Sequence, residues 1–178
     1  MLLKGSKTEQ NLLAGFSGES MAGNRYRFYA EKAREEGYEQ IAAIFEETAD
    51  NEHQHAKMMF KLLGAVGSTG ENLSAAAAGE KEEWSNIYKS MENTAREEGF
   101  DFIADFFKEL GEAEAEHEQR YRRLIERINT HTVFLDEEGN MYWKCRNCGY
   151  VHKGSTPPEI CPLCKYPKAY FERKAENY

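Results

Sequence analysis

Residues 33–45 read AREEGYEQIAAIF, and residues 95–107 read AREEGFDFIADFF. The offset of 62 carries Glu52 onto Glu114 and His55 onto His117. The first ~130 residues are therefore two copies of one helix pair. Gly37 and Gly99 stand where the helical pattern pauses between the two helices of each copy. Outward from these words, apolar residues step by three and four, as the seam of a helix bundle requires. The first helix carries Leu12, Phe16, Glu19, Gly23, Tyr26, Ala30 and Ala33, and the second Ile41, Phe45, Thr48, Glu52, His55, Met59 and Leu62. The third is read as Ala76, Glu80, Glu83, Ile87 and Met91, and the fourth runs from Ile103 through Glu114 and His117 to Ile128.

Between the two copies lies GAVGSTGENLS, Gly64 to Ser74, with no helical pattern. Its residues, fully extended, reach roughly 36 Å, enough for a crossover along a whole bundle. The expected fold is mainly α: a four-helix bundle over residues 1–132 with one long crossover, followed by a small module over 133–178. Gly64, Gly67 and Gly70 form a GxxGxxG that follows a helix rather than a strand, so it is a crossover and not a dinucleotide loop. One spacing breaks the symmetry. Glu19 precedes Ala33 by 14 residues and Glu80 precedes Ala95 by 15, which predicts a one-residue bulge in the third helix.

What interrupts the seams carries the chemistry. Glu19, Glu52, His55, Glu80, Glu83, Glu114 and His117 occupy positions where the register asks for Leu or Ile. Five carboxylates gathered in a core would lose hydration and repel one another, so cations are required. Two divalent metals supply four positive charges. Oxygen-rich ligation with two imidazoles suits iron or manganese, and zinc or cobalt can substitute. A Glu and a His three residues apart share one helix face, so Glu52 with His55 and Glu114 with His117 each offer an oxygen and a nitrogen inward. Solvated surface charge is the ordinary reading of any single Glu, but seven seam positions and a repeat that preserves the pair weigh against it. Tyr26 and Tyr88 are either hydrogen-bond partners of the carboxylates or packing, Trp84 is packing, and His53, His131 and His152 are surface residues.

After Asn129 the pattern changes. HTVFLDEEGNMYWKC contains two β-prone runs around Glu138-Gly139-Asn140, read as a hairpin leading into the first cysteine pair. Cys145-Arg-Asn-Cys148-Gly and Cys161-Pro-Leu-Cys164 are two CxxC knuckles that place four thiolates on one metal. Iron and structural zinc both accept this ligation, and disulfides are a weaker third reading. The adjacent two-metal centre favours an iron electron carrier. The module has too little apolar mass to fold unaided, so metal binding contributes much of its stability.

The formal net charge is -8. An acidic surface without a basic cluster argues against nucleic acid as a partner. No apolar run is long enough to span a membrane, and MLLKGSKTEQ lacks the order of a secretory signal, so a cytoplasmic location is expected.

The combination of GES at 18–20, ETADNEHQHAK at 47–57, AGEKEEW at 78–84 and EAEH at 114–117 with WKCRNCGYVH and CPLC resembles the rubrerythrin family over nearly the whole chain. That resemblance implies a ferritin-like bundle holding a non-haem diiron site and a rubredoxin-like iron tail. It assigns the diiron ligands to Glu19, Glu52, Glu80, Glu83, Glu114 and His117, with His55 replacing Glu83 on reduction. It assigns the single iron to Cys145, Cys148, Cys161 and Cys164. It further implies reduction of hydrogen peroxide to water in oxidative-stress defence, an external electron-donor protein such as a rubredoxin or a flavoprotein reductase, and a homodimer in which one subunit's tail serves the other's diiron centre. Iron oxidation and storage is the alternative activity, disfavoured because storage needs no electron input. A zinc-ribbon interaction protein is a further one, disfavoured by the complete ligand set.

Overall fold

The computed structural model describes residues 2–175, which form two compact units dividing between Ser68 and Thr69. Residue 1 and residues 176–178 of the expected domains lie outside the described residues. The chain is mainly α, with a three-stranded sheet near its C-terminal end.

The first unit is an antiparallel pair, α1 (Lys7–Glu35) and α2 (Glu39–Leu62). Ser6 caps α1: its hydroxyl accepts the Glu9 N–H at 3.1 Å, and the Glu9 carboxylate accepts the Gly5 N–H in return. Gly37, at φ +84°, closes α1, donating to the Arg34 carbonyl while Tyr38 donates to that of Ala33. A left-handed residue is needed there, which is why the repeated word contains glycine. The helices meet through small side chains, with Gly23, Ala30, Ala33, Ala42, Ala49 and Ala56 buried. A Cβ on Gly23 would lie 3.4 Å from the Ala49 carbonyl oxygen, so the backbones approach closely at that point. Phe16 stacks on Phe60 toward one end, and Tyr26, Tyr29 and Phe45 cluster toward the other.

The second unit opens with α3 (Thr69–Glu82), a π-helical turn (Glu83–Ile87) and α4 (Tyr88–Glu97), a continuous third helix, before α5 (Asp101–Asn129). The π turn is the expected bulge: the Tyr88 N–H donates to the Glu83 carbonyl, and the extra residue is absorbed there. Gly99, at φ +82°, repeats the turn made by Gly37. Ala77, Ala95 and Ala104 are buried. In both units the fully buried apolar positions of the helix pair are small residues, while several large residues of the seams are exposed. Ile41 and Leu62 on α2, and Ile87, Met91, Ile103 and Leu124 in the second unit, are all exposed.

The connection differs from the expected eleven-residue stretch. Helix resumes at Thr69, leaving only the six residues 63–68 between α2 and α3. Gly64, at φ +68°, and Ala65 still fold back onto the Lys61 and Phe60 carbonyls, capping α2. The reason is local: the alanine run at 75–78 favours helix strongly enough to recruit the preceding Gly, Glu, Asn and Ser.

Strand β1 (Tyr142–Cys145) is central, flanked antiparallel by β2 (Val151–Lys153) and β3 (Phe171–Arg173). The turn expected around Gly139 exists, held by Asp136, whose carbonyl and carboxylate accept the Gly139 and Asn140 N–H groups. The expected strand before it does not form. Residues 132–136 run irregularly because Arg173 claims the Thr132 and Leu135 carbonyls and the Asp136 N–H goes to Ser155. The hairpin is instead β1–β2, wrapped around the first cysteine knuckle. Trp143, Phe171, Cys145 and Cys161 form the core, and Trp143 donates to the Gly154 carbonyl at 2.9 Å. Among the described residues no helix is long and apolar enough to cross a membrane.

Candidate metal centres

The heptad seam brings α1 and α2 ligands to one spot. Glu19, Glu52 and His55 each direct a donor atom into a group whose members all lie within 4.8 Å of one another. In the second unit Glu80, Glu114 and His117 do the same. In each trio the three-residue step closes a hydrogen bond, His55 Nδ1 to Glu52 Oε2 at 2.8 Å and His117 Nδ1 to Glu114 Oε2 at 2.5 Å. His117 Nδ1 is also 4.0 Å from Glu80 Oε2. The repeat seen in the sequence is therefore a repeat of donor geometry.

Both trios are electrostatically unsatisfied without a cation. Glu19 is held above the usual carboxylate range by its hydrogen bond to Glu52, then by burial and the Glu52 charge, with His55 opposing. Glu80 is raised by burial first, then by the hydrogen bond and charge of Glu114, with the Glu83 charge adding and His117 opposing. Adjacent carboxyls that share a proton are what a metal ion would separate, so the donor sets fit oxygen- and imidazole-binding cations.

Glu83 lies outside the second trio and opens the π turn. Tyr88 hydrogen-bonds it, and burial together with the Glu83 carboxylate pushes the Tyr88 phenol up. Of the two readings left for Tyr88, it is a hydrogen-bond partner that also packs on Phe107. Trp84 does more than pack: its Nε1–H donates to Glu118 Oε2 at 2.6 Å. Glu118 is buried, also bonded to Arg122 at 2.6 Å, and held below the usual carboxylate range by Trp84 and then Arg122. The sequence reading missed Glu118. The repeat itself held the signal, since Glu118 aligns with Ala56 and Trp84 with Gly23, one polar pair replacing one small pair at matched positions.

The four sulfurs converge without bonding. Cys145 to Cys164 and Cys148 to Cys161 are each 3.7 Å apart, and all four cysteines are free. A disulfide spans ~2.05 Å, whereas tetrahedral ligation at ~2.3 Å gives sulfur–sulfur edges of ~3.8 Å. The two knuckles are built alike. Gly149 and Lys165, each following a knuckle's second cysteine, adopt φ +79° and +63°, and they donate to the Cys145 and Cys161 carbonyls. The next residues, Tyr150 and Tyr166, turn their N–H groups onto Cys148 and Cys164. At Cys148 that N–H is outweighed by burial and the other three sulfurs, which push the thiol up to about 12. Asn147 first, then the Tyr166 N–H and neighbouring thiols, draw Cys164 down to about 6 against burial. A cluster that ionises one thiol at the expense of another needs a cation to hold four thiolates.

Arg173 fastens this module to the loop following α5. Its guanidinium lies 5.1 Å from the Trp143 ring centre, donates to the Leu135 carbonyl at 2.5 Å and pairs with Asp136 at 3.4 Å.

A family model described as Rubrerythrin matches residues 10–125 and, overlapping it, 71–140. A second, described as Rubrerythrin, rubredoxin-like domain, matches residues 143–172, which contain all four cysteines. The rubrerythrin of Porphyromonas gingivalis is 48% identical, over 99% of this chain and 94% of its own. Rubrerythrin-1 of Clostridium acetobutylicum is 46% identical over 99% and 98%, and the rubrerythrin of Nitratidesulfovibrio vulgaris 44% identical over 99% and 98%. With carboxylate–histidine trios on a repeated helix pair and a four-sulfur site in the same chain, the chain belongs to the rubrerythrin family.

Proposed function

We propose that this chain is a peroxidase that reduces hydrogen peroxide to two waters, taking two protons and two electrons per turnover. Membership of the family makes it an iron-binding oxidoreductase with a place in oxidative-stress defence. The observation that carries the finer reading is the four-cysteine site in the same chain as the two trios. Oxidation and storage of iron would run without an electron input, whereas a repeated reduction needs one.

In this reading residues 1–132 act as the diiron domain and 133–178 as the electron-receiving domain. Glu19, Glu52 and His55 combine with Glu80, Glu114 and His117 as one dinuclear ligand set, with Glu83 a fifth carboxylate able to alternate with His55. Iron held there supplies the two electrons and polarises the peroxide O–O bond. The side chains do the rest. Glu19 and Glu80 place one carboxylate each in the two trios, and in this reading the carboxylates of the set shuttle the protons that leave with water. Tyr88 orients the Glu83 carboxylate through its hydrogen bond. Cys145, Cys148, Cys161 and Cys164 bind the single iron through which electrons return from a separate donor protein, a rubredoxin or a flavoprotein reductase.

The test is anaerobic. The fully reduced protein is mixed with stoichiometric peroxide or with air while the visible bands are followed. Rapid reoxidation by peroxide with slow reaction in air is expected. Fast oxygen consumption with continuing iron uptake would instead establish iron oxidation, and a colourless cysteine site would remove the electron path.

A further inference from the structure

The repeat lets each position of one helix pair be matched to its twin in the other. Glu19 matches Glu80, and counting on from them Gly23 matches Trp84. Glu52 matches Glu114, so Ala49 matches Gly111, His53 matches Ala115 and Ala56 matches Glu118. The two halves therefore differ most where the helices of each pair meet, just behind the metal donors.

In the first unit the matched positions leave a gap. A pocket of about 180 Å³ lies between α1 and α2. Gly23, Ala49 and Ala56 are its buried walls, and Asn24 and His53 stand exposed in its lining. Glu19 is the member of the donor trio in its wall, so the pocket joins solvent to the trio. His53 follows Glu52 by one residue, about 100° round the helix, which opens the pocket on the side of the pair away from the His55–Glu52 contact. A water takes up roughly 30 Å³, so several molecules of peroxide's size fit inside.

In the second unit side chains fill the same gap. Trp84 stands where the first unit has Gly23, and its indole N–H reaches Glu118, which stands where the first unit has Ala56. Arg122 holds the other carboxylate oxygen at 2.6 Å. Grooves remain on this unit, one bordered by Trp84 and Tyr88 and another by Lys81 and Arg122, but neither has Glu80 in its wall. Burying the Glu118 carboxylate costs hydration that its two donors offset, and the product is a closed wall.

We propose that the pocket between α1 and α2 is the way in for peroxide, and that the Trp84–Glu118 pair seals the equivalent way through the second helix pair. The proposal rests on the peroxidase reading above. Gly23 and Ala56 set the width of the passage, and Asn24 and His53 offer polar groups to a small molecule shedding water at its mouth.

The test uses the full-length, iron-loaded protein and two probes. Peroxide is mixed with the reduced form, and azide, a small anion that colours ferric iron when it binds, is mixed with the oxidised form. Ala56→Leu narrows the passage, and Asn24→Trp covers its exposed mouth without touching the buried wall. In each variant the peroxide rate and both azide rates, association and release, are expected to fall by about tenfold, with iron content unchanged. Because entry and exit share one path, the azide Kd should stay within about twofold of wild type. Azide rates that do not change in either variant overturn the route. A shifted Kd at an unchanged association rate overturns it too, since the pocket would then shape the centre rather than lead to it. Adding Trp84→Ala to Ala56→Leu opens the sealed side and is expected to restore the rates, and failure to do so overturns the part given to Trp84. A wild type that reacts rapidly with air and slowly with peroxide would sink the peroxidase reading, while its azide rates would still decide the route.

Discussion

Trp84 and Glu118 show how a single residue pair can be worth more than its place in a pattern. Glu118 is 8% exposed, the sole buried charge among the described residues, and its carboxylate is divided between the Trp84 indole and Arg122. A buried carboxylate that loses one donor keeps its desolvation penalty, so the cost falls on the unpaired oxygen rather than on lost packing. Trp84→Phe, which keeps the ring and deletes the N–H, is expected to lower the melting temperature by a few degrees, on the order of 5 °C. Glu118→Ala, which removes both acceptor oxygens, should lower it more, and the double substitution should be no worse than Glu118→Ala alone, because the indole then has no acceptor left to lose. Additive losses in thermal melts would mean that the two side chains act separately. The same pair explains why residue-level reading fell short. A Trp at a helix seam is normally packing, and its partner stood 34 positions away, in a copy of the repeat whose twin carries alanine.

At the scale of elements, the 14-against-15 spacing was enough to locate a π turn from sequence alone, because a repeat makes one inserted residue visible. Deleting Asn86 should convert that turn to α-helix. Tyr88 and the rest of α4 are held to α5 by the Phe107 stack, 6.3 Å between ring centres. Because the turn absorbs its extra residue, the flanking helix keeps its phase, and with that residue gone Glu80 stands 14 residues before the alanine that follows it, as Glu19 stands before Ala33. Iron content is therefore expected to stay at about three per chain. A fall to about one, the cysteine site alone, would show that the π turn itself sets the ligand register. The helix pairs, their glycine turns, the two trios and the sulfur site were all legible, since each leaves a periodic or paired trace. The length of the α2–α3 connection was not, because a Gly/Ser/Asn-rich run reads as loop until the alanines after it extend the helix backward. Nor was the partner of β1 across from Cys145: β3 arrives from 26 residues away, and its Phe171 and Arg173 announce themselves only by packing on the core.

For the whole molecule, the two metal centres impose opposite demands on folding. The cysteine module is too small to hold its shape by apolar burial, and its metal supplies the difference. The helix pairs have the reverse problem, since their ligand carboxylates strain the fold until a cation arrives. The metal-free protein therefore has a definite pH response. Glu19 and Glu80 have folded-state values raised above 4.5, so the folded chain binds their protons more tightly than the unfolded chain. For carboxyls shifted in this direction, stability improves as pH falls through the raised values and is lost again as pH climbs past them. The groups facing them are Glu52 and His55 in the first unit and Glu83, Glu114 and His117 in the second, with the histidines opposing the shift in each case. Stripped of its dinuclear metal, the protein should melt higher near pH 5 than at pH 7, and adding ferrous iron anaerobically at pH 7 should raise the transition. Substituting Glu19→Gln and Glu80→Gln together should lift the metal-free melting temperature at pH 7 and flatten its dependence on pH, while abolishing the stabilisation by iron. A metal-free wild-type protein that melts lower at pH 5 than at pH 7 would show that the paired carboxyls do not govern its response to pH.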